Sequence, residues 1–397
     1  MASTPSAASL SPPTLLRNAH VFAPEDLGLR QVLVAAGRVL WIGAADAPAP
    51  SVPGLETIDL GGKRLIPGLI DAHAHVTGGG GEGGFATRVP PVPLSAFTAA
   101  GVTTVVGVLG TDDLARSPGE LLASTYALRE QGLAAHCWCG GYHVPPVTLT
   151  GSVRGDIVYL DPVLGVGELA ISDHRSSQPT FDEFVRIASE CHVAGLMTGK
   201  AGVLHLHLGD GARGLELVRR ALDDTELPPR VFHPTHVNRR KALFEEALAL
   251  ARRGCTVDVT AFPVEEGEDA WSAEDAWEHY RAAGAPPERL TISSDAGGCL
   301  PTFDEEGRLR RMDVGASRAL ADALRTLLAR GHALDAVLPA FTSNVARLLR
   351  LPGKGRVAAG GDADLVVLDA DGGIAEVMAQ GAWHVRDGAV VRRGPFE

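Results

Sequence analysis

The sequence predicts an α/β fold in which a (β/α)8 TIM barrel, residues 65–351, is joined to a small β-sandwich domain built from both chain ends, residues 1–64 and 352–397. Three observations carry this prediction. Strand-like and helix-like stretches alternate through the middle of the chain, the pattern of parallel strands connected by helices. Both ends read instead as short apolar runs broken by turn signals. Histidines and carboxylates recur at the ends of the middle strands, where a barrel of this kind builds its site.

Taken in order, residues 1–13 are rich in Ala, Ser and Pro and read as a disordered tail. Between Leu15 and Leu60, the runs Val32-Leu33-Val34 and Val39-Leu40-Trp41-Ile42-Gly43 flank a turn at Gly37-Arg38. The C-terminal end repeats that style, with a strand at 363–369, a run at Glu376-Val377-Met378, and Asp387-Gly388 as a hairpin turn between short apolar segments. In the middle, Leu65-Ile66 leads through Pro67-Gly68 into Leu69-Ile70-Asp71. Further strands are expected at 102–109, 133–139, 163–171, 203–208, 230–235, 255–260 and 289–294. Helices are expected at 113–131, 180–194, 211–222, 240–253, 272–284 and 315–330. Each carries apolar residues at helical spacing, as Leu243, Ala247, Leu248 and Ala251 do.

Composition narrows the function classes. Charged residues are 21% and hydrophobic residues 45%, ordinary globular usage. The formal charge of −12 gives no basic footprint for nucleic acid or an anionic membrane. No stretch approaches ~18 apolar residues free of charge, so no membrane span is expected. The five cysteines have no framework spacing, and the N-terminus lacks a basic segment followed by an apolar run, so the expected compartment is the cytoplasm. Cys137 and Cys139 fall within an expected barrel strand, where packing explains them better than redox chemistry.

Five clusters at strand ends carry the chemistry. In Asp71-Ala72-His73-Ala74-His75, strand alternation puts His73 and His75 on one face, which makes half a metal site. Glu168 follows at the end of 163–171, a carboxylate able to bridge two cations. His205 and His207 share a face, so spacing alone does not decide which of them ligates, and His233 and His236 leave the same choice open. Asp295, after Leu290-Thr291-Ile292, can accept a proton and touch a metal. Singly, each cluster is commonplace; in this order on five strand ends, chance is a poor explanation.

The order His-x-His, bridging group, His, His, Asp resembles the amidohydrolase superfamily, and Pro67-Gly68-Leu69-Ile70-Asp71-Ala72-His73-Ala74-His75 is similar to its first-strand motif. More narrowly, the chain resembles the isoaspartyl dipeptidases (β-aspartyl peptidases). The matches are Thr77-Gly78-Gly79-Gly80-Gly81-Glu82, Leu109-Gly110-Thr111-Asp112, Tyr142-His143-Val144-Pro145, Ser172-Asp173-His174-Arg175-Ser176 and Pro234-Thr235-His236-Val237-Asn238-Arg239. The resemblance implies two Zn2+ per subunit, bridged by Glu168 and a hydroxide. His73 and His75 would hold one ion, His207 and His236 the other, and Asp295 would be both ligand and general base. His205 and His233 would be structural or support the ligands. Tyr142 would stabilise the oxyanion, Glu82 would take a substrate ammonium, Arg175 and Arg239 would take its carboxylates, and Thr111 would add a hydrogen bond. The four glycines suggest a loop flexible enough to fold over a dipeptide.

Two positions depart from the family. Glu168 stands where a carboxylated lysine is usual; it offers the same charge and two oxygens on a shorter stem. Cys299 stands where a substrate-side serine is usual, as an inert small residue or a thiol near the metals. The resemblance further implies a homo-oligomer, an octamer among the options, acting on a small dipeptide. The alternatives are another amidohydrolase, acting on cyclic amides, N-acyl amino acids or a deaminase substrate, and a non-catalytic scaffold on the same barrel.

Overall fold

The computed structural model describes residues 11–303 and 309–397. The first ten residues of the expected tail lie outside them. Pro12 and Pro13 are already engaged, accepting hydrogen bonds from Thr14 Oγ1 (3.0 Å) and the Glu56 amide (2.8 Å).

The N-terminal end forms β1 (Thr14–Phe22), β2 (Asp26–Ala35), β3 (Arg38–Ala44), β4 (Glu56–Asp59) and β5 (Arg64–Pro67). The barrel strands follow: β6 (Leu69–Ala74), β7 (Val102–Gly107), β8 (Ala134–Cys139), β9 (Val163–Ile171), β10 (Val203–Leu208), β11 (Phe232–Thr235), β12 (Val257–Thr260) and β13 (Leu290–Ser293). A hairpin of β14 (Cys299–Phe303) and β15 (Leu309–Val314) leaves the barrel rim, and β16 (Leu365–Leu368), β17 (Ile374–Ala379), β18 (Ala382–Arg386) and β19 (Ala389–Val390) end the chain. The first five strands and the last four make one nine-stranded sheet, in which β5 pairs with β16 to join the two ends. Its core, including Leu16, Val21, Val32, Leu65, Leu365 and Met378, is separate from that of the barrel.

Strands β6 to β11 pair in parallel and in chain order, and β12 pairs with β13. Where backbone pairing is interrupted, side chains and single contacts close the ring. Between β11 and β12, Asn238 Nδ2 donates to the Thr260 carbonyl (3.0 Å) and Asn238 Oδ1 accepts from the Thr260 amide (2.9 Å). Between β13 and β6, Ala74 bridges Ala296, and Ser294 donates to the Asp71 carboxyl through both its amide and its hydroxyl. Burial pushes the Asp71 carboxyl up to about 6 against those hydrogen bonds.

The helices begin at identifiable caps. Ser117 caps the helix Pro118–Glu130, with proline at its first position, so this helix starts five residues after the expected boundary. Thr180 and Glu183 form a reciprocal capping box at Phe181–Thr198. The helix expected at 211–222 runs Glu216–Asp224, and Val153–Tyr159, capped by Ser152, was not anticipated.

Candidate metal centre and substrate pocket

The strand ends deliver the six sequence-assigned ligands to one place. Glu168 lies at its middle. A register shift in the β9–β10 pairing sets Val166 to Leu169 against Leu204 to Leu206, a bulge that re-aims the side chain at this position. The Glu168 carboxylate is 3.1 Å from His207 Nδ1, 3.4 Å from His75 Nε2, 3.5 Å from His236 Nε2 and 3.6 Å from His73 Nε2. Asp295 Oδ1 is 3.2 Å from His75 Nε2 and 3.4 Å from His73 Nε2. Three ligand groupings are compact enough to hold an ion: His73, His75 and Glu168; His73, His236 and Asp295; and Glu168, His207 and His236.

Three of these histidines have one ring nitrogen committed to a protein partner and the other aimed at Glu168. His207 Nε2 donates to Asp173 Oδ2 at 2.9 Å. His236 Nδ1 bonds Thr260 Oγ1 at 2.7 Å, and His73 Nδ1 bonds His205 Nε2 at 2.8 Å. Partners of this kind set ring orientation and tautomer in metal sites. His73 Nε2 and Asp295 Oδ1 are buried with no hydrogen-bond partner among the described residues. A buried lone pair and a buried carboxylate oxygen left bare beside each other are costly unless a cation meets them, so the donor set fits a divalent metal. Burial opposes charge on Glu168 and Asp295, yet the surrounding histidines outweigh it and hold both carboxyls below their ordinary values. Burial also disfavours the His73 imidazolium, but Glu168 and Asp295 outweigh it and push His73 up to about 9. That proton and a metal compete for the same Nε2 lone pair. His236 and Asp295 both take left-handed backbone conformations (φ 61° and 53°) directly after their strands, which turns the side chains inward.

A narrow pocket beside the ligands is lined by Glu82, Thr111, Tyr142, Arg175, Arg239 and Cys299, every substrate-side residue named from sequence. The Tyr142 hydroxyl lies 2.9 Å from His207 Nδ1, and burial holds its phenol well above the ordinary value, so it keeps its proton. Glu82 Oε1 accepts from Thr111 Oγ1 (3.0 Å) and Arg175 Nη1 (3.3 Å), while its Oε2 is buried without a partner among the described residues. Burial pushes the Cys299 thiol up to about 12, and the compact ligand groupings among the described residues do not include it. The two arginines differ. Arg175 is fastened to Asp173 by its amide (2.7 Å), Nε (3.1 Å) and Nη2 (2.7 Å). Arg239 has no ion pair among the described residues and borders both this pocket and an outer chamber of about 590 Å³.

The glycine-rich loop corrects the expectation of flexibility. Gly78 and Gly80 have positive φ, and a Cβ there would come within 2.0 Å of the Val89 carbonyl oxygen and 2.5 Å of that of Thr87. Arg116, which sequence reasoning missed, donates to the carbonyls of Thr77, Gly79 and Val89. The glycines permit a buried, pinned turn that presents Glu82.

Asp173 was also missed as a functional residue, although its Ser-Asp-His-Arg segment stood out. Its neighbour Arg175 was the available signal, because a buried arginine needs a carboxylate. Asp258, Thr260 and Thr291 gave no signal, since their roles depend on neighbours distant in sequence.

The comparisons bear on this geometry. A β-aspartyl dipeptidase from Fervidobacterium islandicum AW-1, solved in complex with β-Asp-Leu, is 42% identical with a TM-score of 0.89, over 95% of this chain and 98% of that one. The chain belongs to the β-aspartyl dipeptidase family. A second structure of a β-aspartyl dipeptidase from the same organism is 40% identical (TM-score 0.86) over 95% of this chain and 98% of that one. The dihydropyrimidinase of Brevibacillus agri, at 18% identity and TM-score 0.64 over 96% and 97% of the two chains, shares the amidohydrolase barrel fold. Among curated relatives, an imidazolonepropionase of Anaeromyxobacter sp. strain K is 28% identical over 96% of both chains. No family model matches the chain. Membership in the β-aspartyl dipeptidase family makes the chain an amidohydrolase, with candidate metal ligands at all its expected positions.

Proposed function

We propose that this protein is a zinc-dependent isoaspartyl dipeptidase, hydrolysing the β-aspartyl peptide bond of dipeptides. The observation that carries the reading is Glu82 Oε2, unpartnered among the described residues and set beside Arg175 in the same narrow pocket as the candidate metal ligands. An anion beside a cation suits the α-ammonium and α-carboxylate of an aspartyl head whose side-chain carbonyl reaches the metals. Arg239, free of ion pairs among the described residues and bordering the outer chamber, would take the carboxylate of the leaving residue, whose side chain would extend into that chamber.

His73, His75 and Asp295 would hold one cation and His207 and His236 the other, with Glu168 between them. Bound there, two zinc ions would supply Lewis acidity and make hydroxide available at neutral pH. The chain's own residues do the rest. Tyr142 donates its hydroxyl to the carbonyl oxygen as negative charge develops on it. Asp295 Oδ1 accepts the proton of the attacking water and returns it to the departing amine. Arg175 and Glu82 hold the aspartyl head so that only the β-carbonyl reaches the metals. Thr111 keeps Glu82 oriented, and Cys299 stands at the wall of the pocket as a neutral thiol.

The family resemblance supports a homo-oligomer, and five free cysteines suit a reducing compartment such as the cytoplasm. No described helix is long and apolar enough to cross a membrane. A panel of β-aspartyl dipeptides, a hydantoin, an imidazolone and N-acyl amino acids, offered to zinc-loaded protein, tests the reading. Turnover of the β-aspartyl dipeptides well above the others is the expected result. Faster turnover of a cyclic amide would reassign the substrate.

A further inference from the structure

The barrel interior below the metal centre is polar. His205 on β10, His233 on β11, Asp258 on β12 and Thr291 on β13 come from four successive strands, and each is completely buried. His205 is in register with His233, and Asp258 with Thr291, so the four form one layer across the barrel. Such layers are ordinarily filled with bulky apolar side chains, and a buried polar layer is tolerable only when every member is satisfied. This layer is satisfied through one continuous chain. His73 Nδ1 meets His205 Nε2 at 2.8 Å, His205 Nδ1 meets His233 Nδ1 at 2.8 Å, His233 Nε2 meets Thr291 Oγ1 at 3.1 Å, and Thr291 Oγ1 donates to Asp258 Oδ1 at 2.6 Å.

The far end fixes the direction. Asp258 is an acceptor at every contact, taking hydroxyls from Thr291, Thr235 (2.7 Å) and Ser293 (2.5 Å). Among the described residues, the only other oxygen acceptor near the Thr291 hydroxyl is the Val257 carbonyl, at 3.4 Å. Thr291 therefore gives its one proton away and accepts from His233 Nε2–H. A neutral imidazole has one N–H, so His233 Nδ1 is bare and accepts from His205 Nδ1–H. His205 Nε2 is bare in turn and accepts from His73 Nδ1–H.

We propose that His205, His233, Thr291 and Asp258 are positioning residues that form a one-way hydrogen-bond relay, holding the His73 proton on Nδ1 so that Nε2 is the nitrogen offered to the metal. Reversal of the relay would put the N–H of a neutral His73 on Nε2, pointing into the site. The inference rests on the metal-binding part of the proposed function and not on the choice of substrate. Trp138 stacks on His205 (5.2 Å between ring centroids, 18° between planes) and so fixes that ring's orientation.

The test compares three variants by zinc affinity, measured by chelator competition, and by zinc count per chain, with thermal melting of the metal-free protein alongside. Thr291→Val removes the hydroxyl that sets the direction. Thr291→Ser restores it. Thr235→Val removes an equally buried hydroxyl from the other Asp258 oxygen and leaves the Thr291–Asp258 hydrogen bond in place. Thr291→Val is expected to weaken the zinc held through His73 by about 10–100-fold, the usual effect of losing support behind a ligand, while the other two stay within about twofold of the parent whatever their melting temperatures. Histidine 15N NMR of the zinc-loaded protein reads the tautomers directly, with His205 expected as Nδ1–H and His233 as Nε2–H. An Nε2–H tautomer at His205, equal weakening by Thr235→Val and Thr291→Val, or unchanged zinc binding in Thr291→Val would each overturn the relay. Protein that binds two zinc ions with the expected tautomers but cleaves no β-aspartyl peptide would leave the relay standing and remove the substrate assignment.

Discussion

Asp173→Asn is the substitution whose consequences the structure specifies most fully. Asp173 is buried and receives four donors on two oxygens. Oδ1 takes the Arg175 amide (2.7 Å) and Nε (3.1 Å), and Oδ2 takes Arg175 Nη2 (2.7 Å) and His207 Nε2 (2.9 Å). An amide has one oxygen and one NH2, so in either orientation two of the donors face another donor. Hydrogen bonds to charged groups contribute about 1.5–3 kcal/mol each, and breaking a buried ion pair costs about 3–5 kcal/mol. Because Glu82 still contacts Arg175 at 3.3 Å, a loss of about 3 kcal/mol in stability is expected, near the low end of that range. If the amide oxygen stays with His207, zinc affinity should fall about tenfold; if the NH2 faces His207, about 100-fold. The pH dependence has a definite sign. Burial alone would raise the Asp173 carboxyl, but His207 and Arg175 hold it well below the ordinary range. Its stabilisation is therefore complete above the unfolded value of about 4, falls as pH drops below that value, and is gone once pH passes the lower folded value. Urea unfolding at pH 7, chelator competition and kcat/KM on β-Asp-Leu are the assays. Wild-type zinc affinity together with wild-type stability in Asp173→Asn would refute the reasoning.

Further expectations concern other groups. Glu168→Gln removes the charge shared by four histidines and should leave at most one zinc per chain and at least ~100-fold less activity, read by elemental analysis and initial rates. Because the Glu168 carboxylate is encoded, activity should not change in buffers stripped of carbon dioxide; a requirement for bicarbonate would contradict its bridging position. Tyr142→Phe should lower kcat by about 100- to 1,000-fold, as loss of an oxyanion donor does, with zinc content unchanged. His384 is completely buried in β18, and burial, reinforced by Arg392, pushes it down to about 4. Between pH 6.5 and 4 the unfolded chain takes up a proton there that the folded chain refuses, so stability falls as pH drops, by up to about 1.4 kcal/mol per unit. His384→Leu should flatten this part of the profile in urea unfolding at pH 7 and pH 5.

Much of the fold was legible because the barrel strands are apolar runs bounded by turn residues. The run expected at 163–171 is β9 itself, and 203–208 is β10. The convergence of the candidate ligands was legible because strand alternation and strand ends constrain where a side chain points. Alternation could not separate His205 from His207, since both face inward; depth along β10 separates them, His207 reaching Glu168 at the rim and His205 packing behind His73. The glycine-rich loop misled, because glycine marks both mobility and close packing and only the neighbouring carbonyls distinguish them. The polar layer around Asp258 was hidden because its hydrogen bonds join residues far apart in sequence.

The most direct measurement of the central claim is hydrolysis of β-Asp-Leu and α-Asp-Leu by one preparation titrated with zinc, with the metal counted at every point. Cleavage of the β-linked peptide alone is expected, rising with zinc to a plateau at two ions per chain. Full activity at one ion, or cleavage of α-Asp-Leu at a comparable rate, would contradict it.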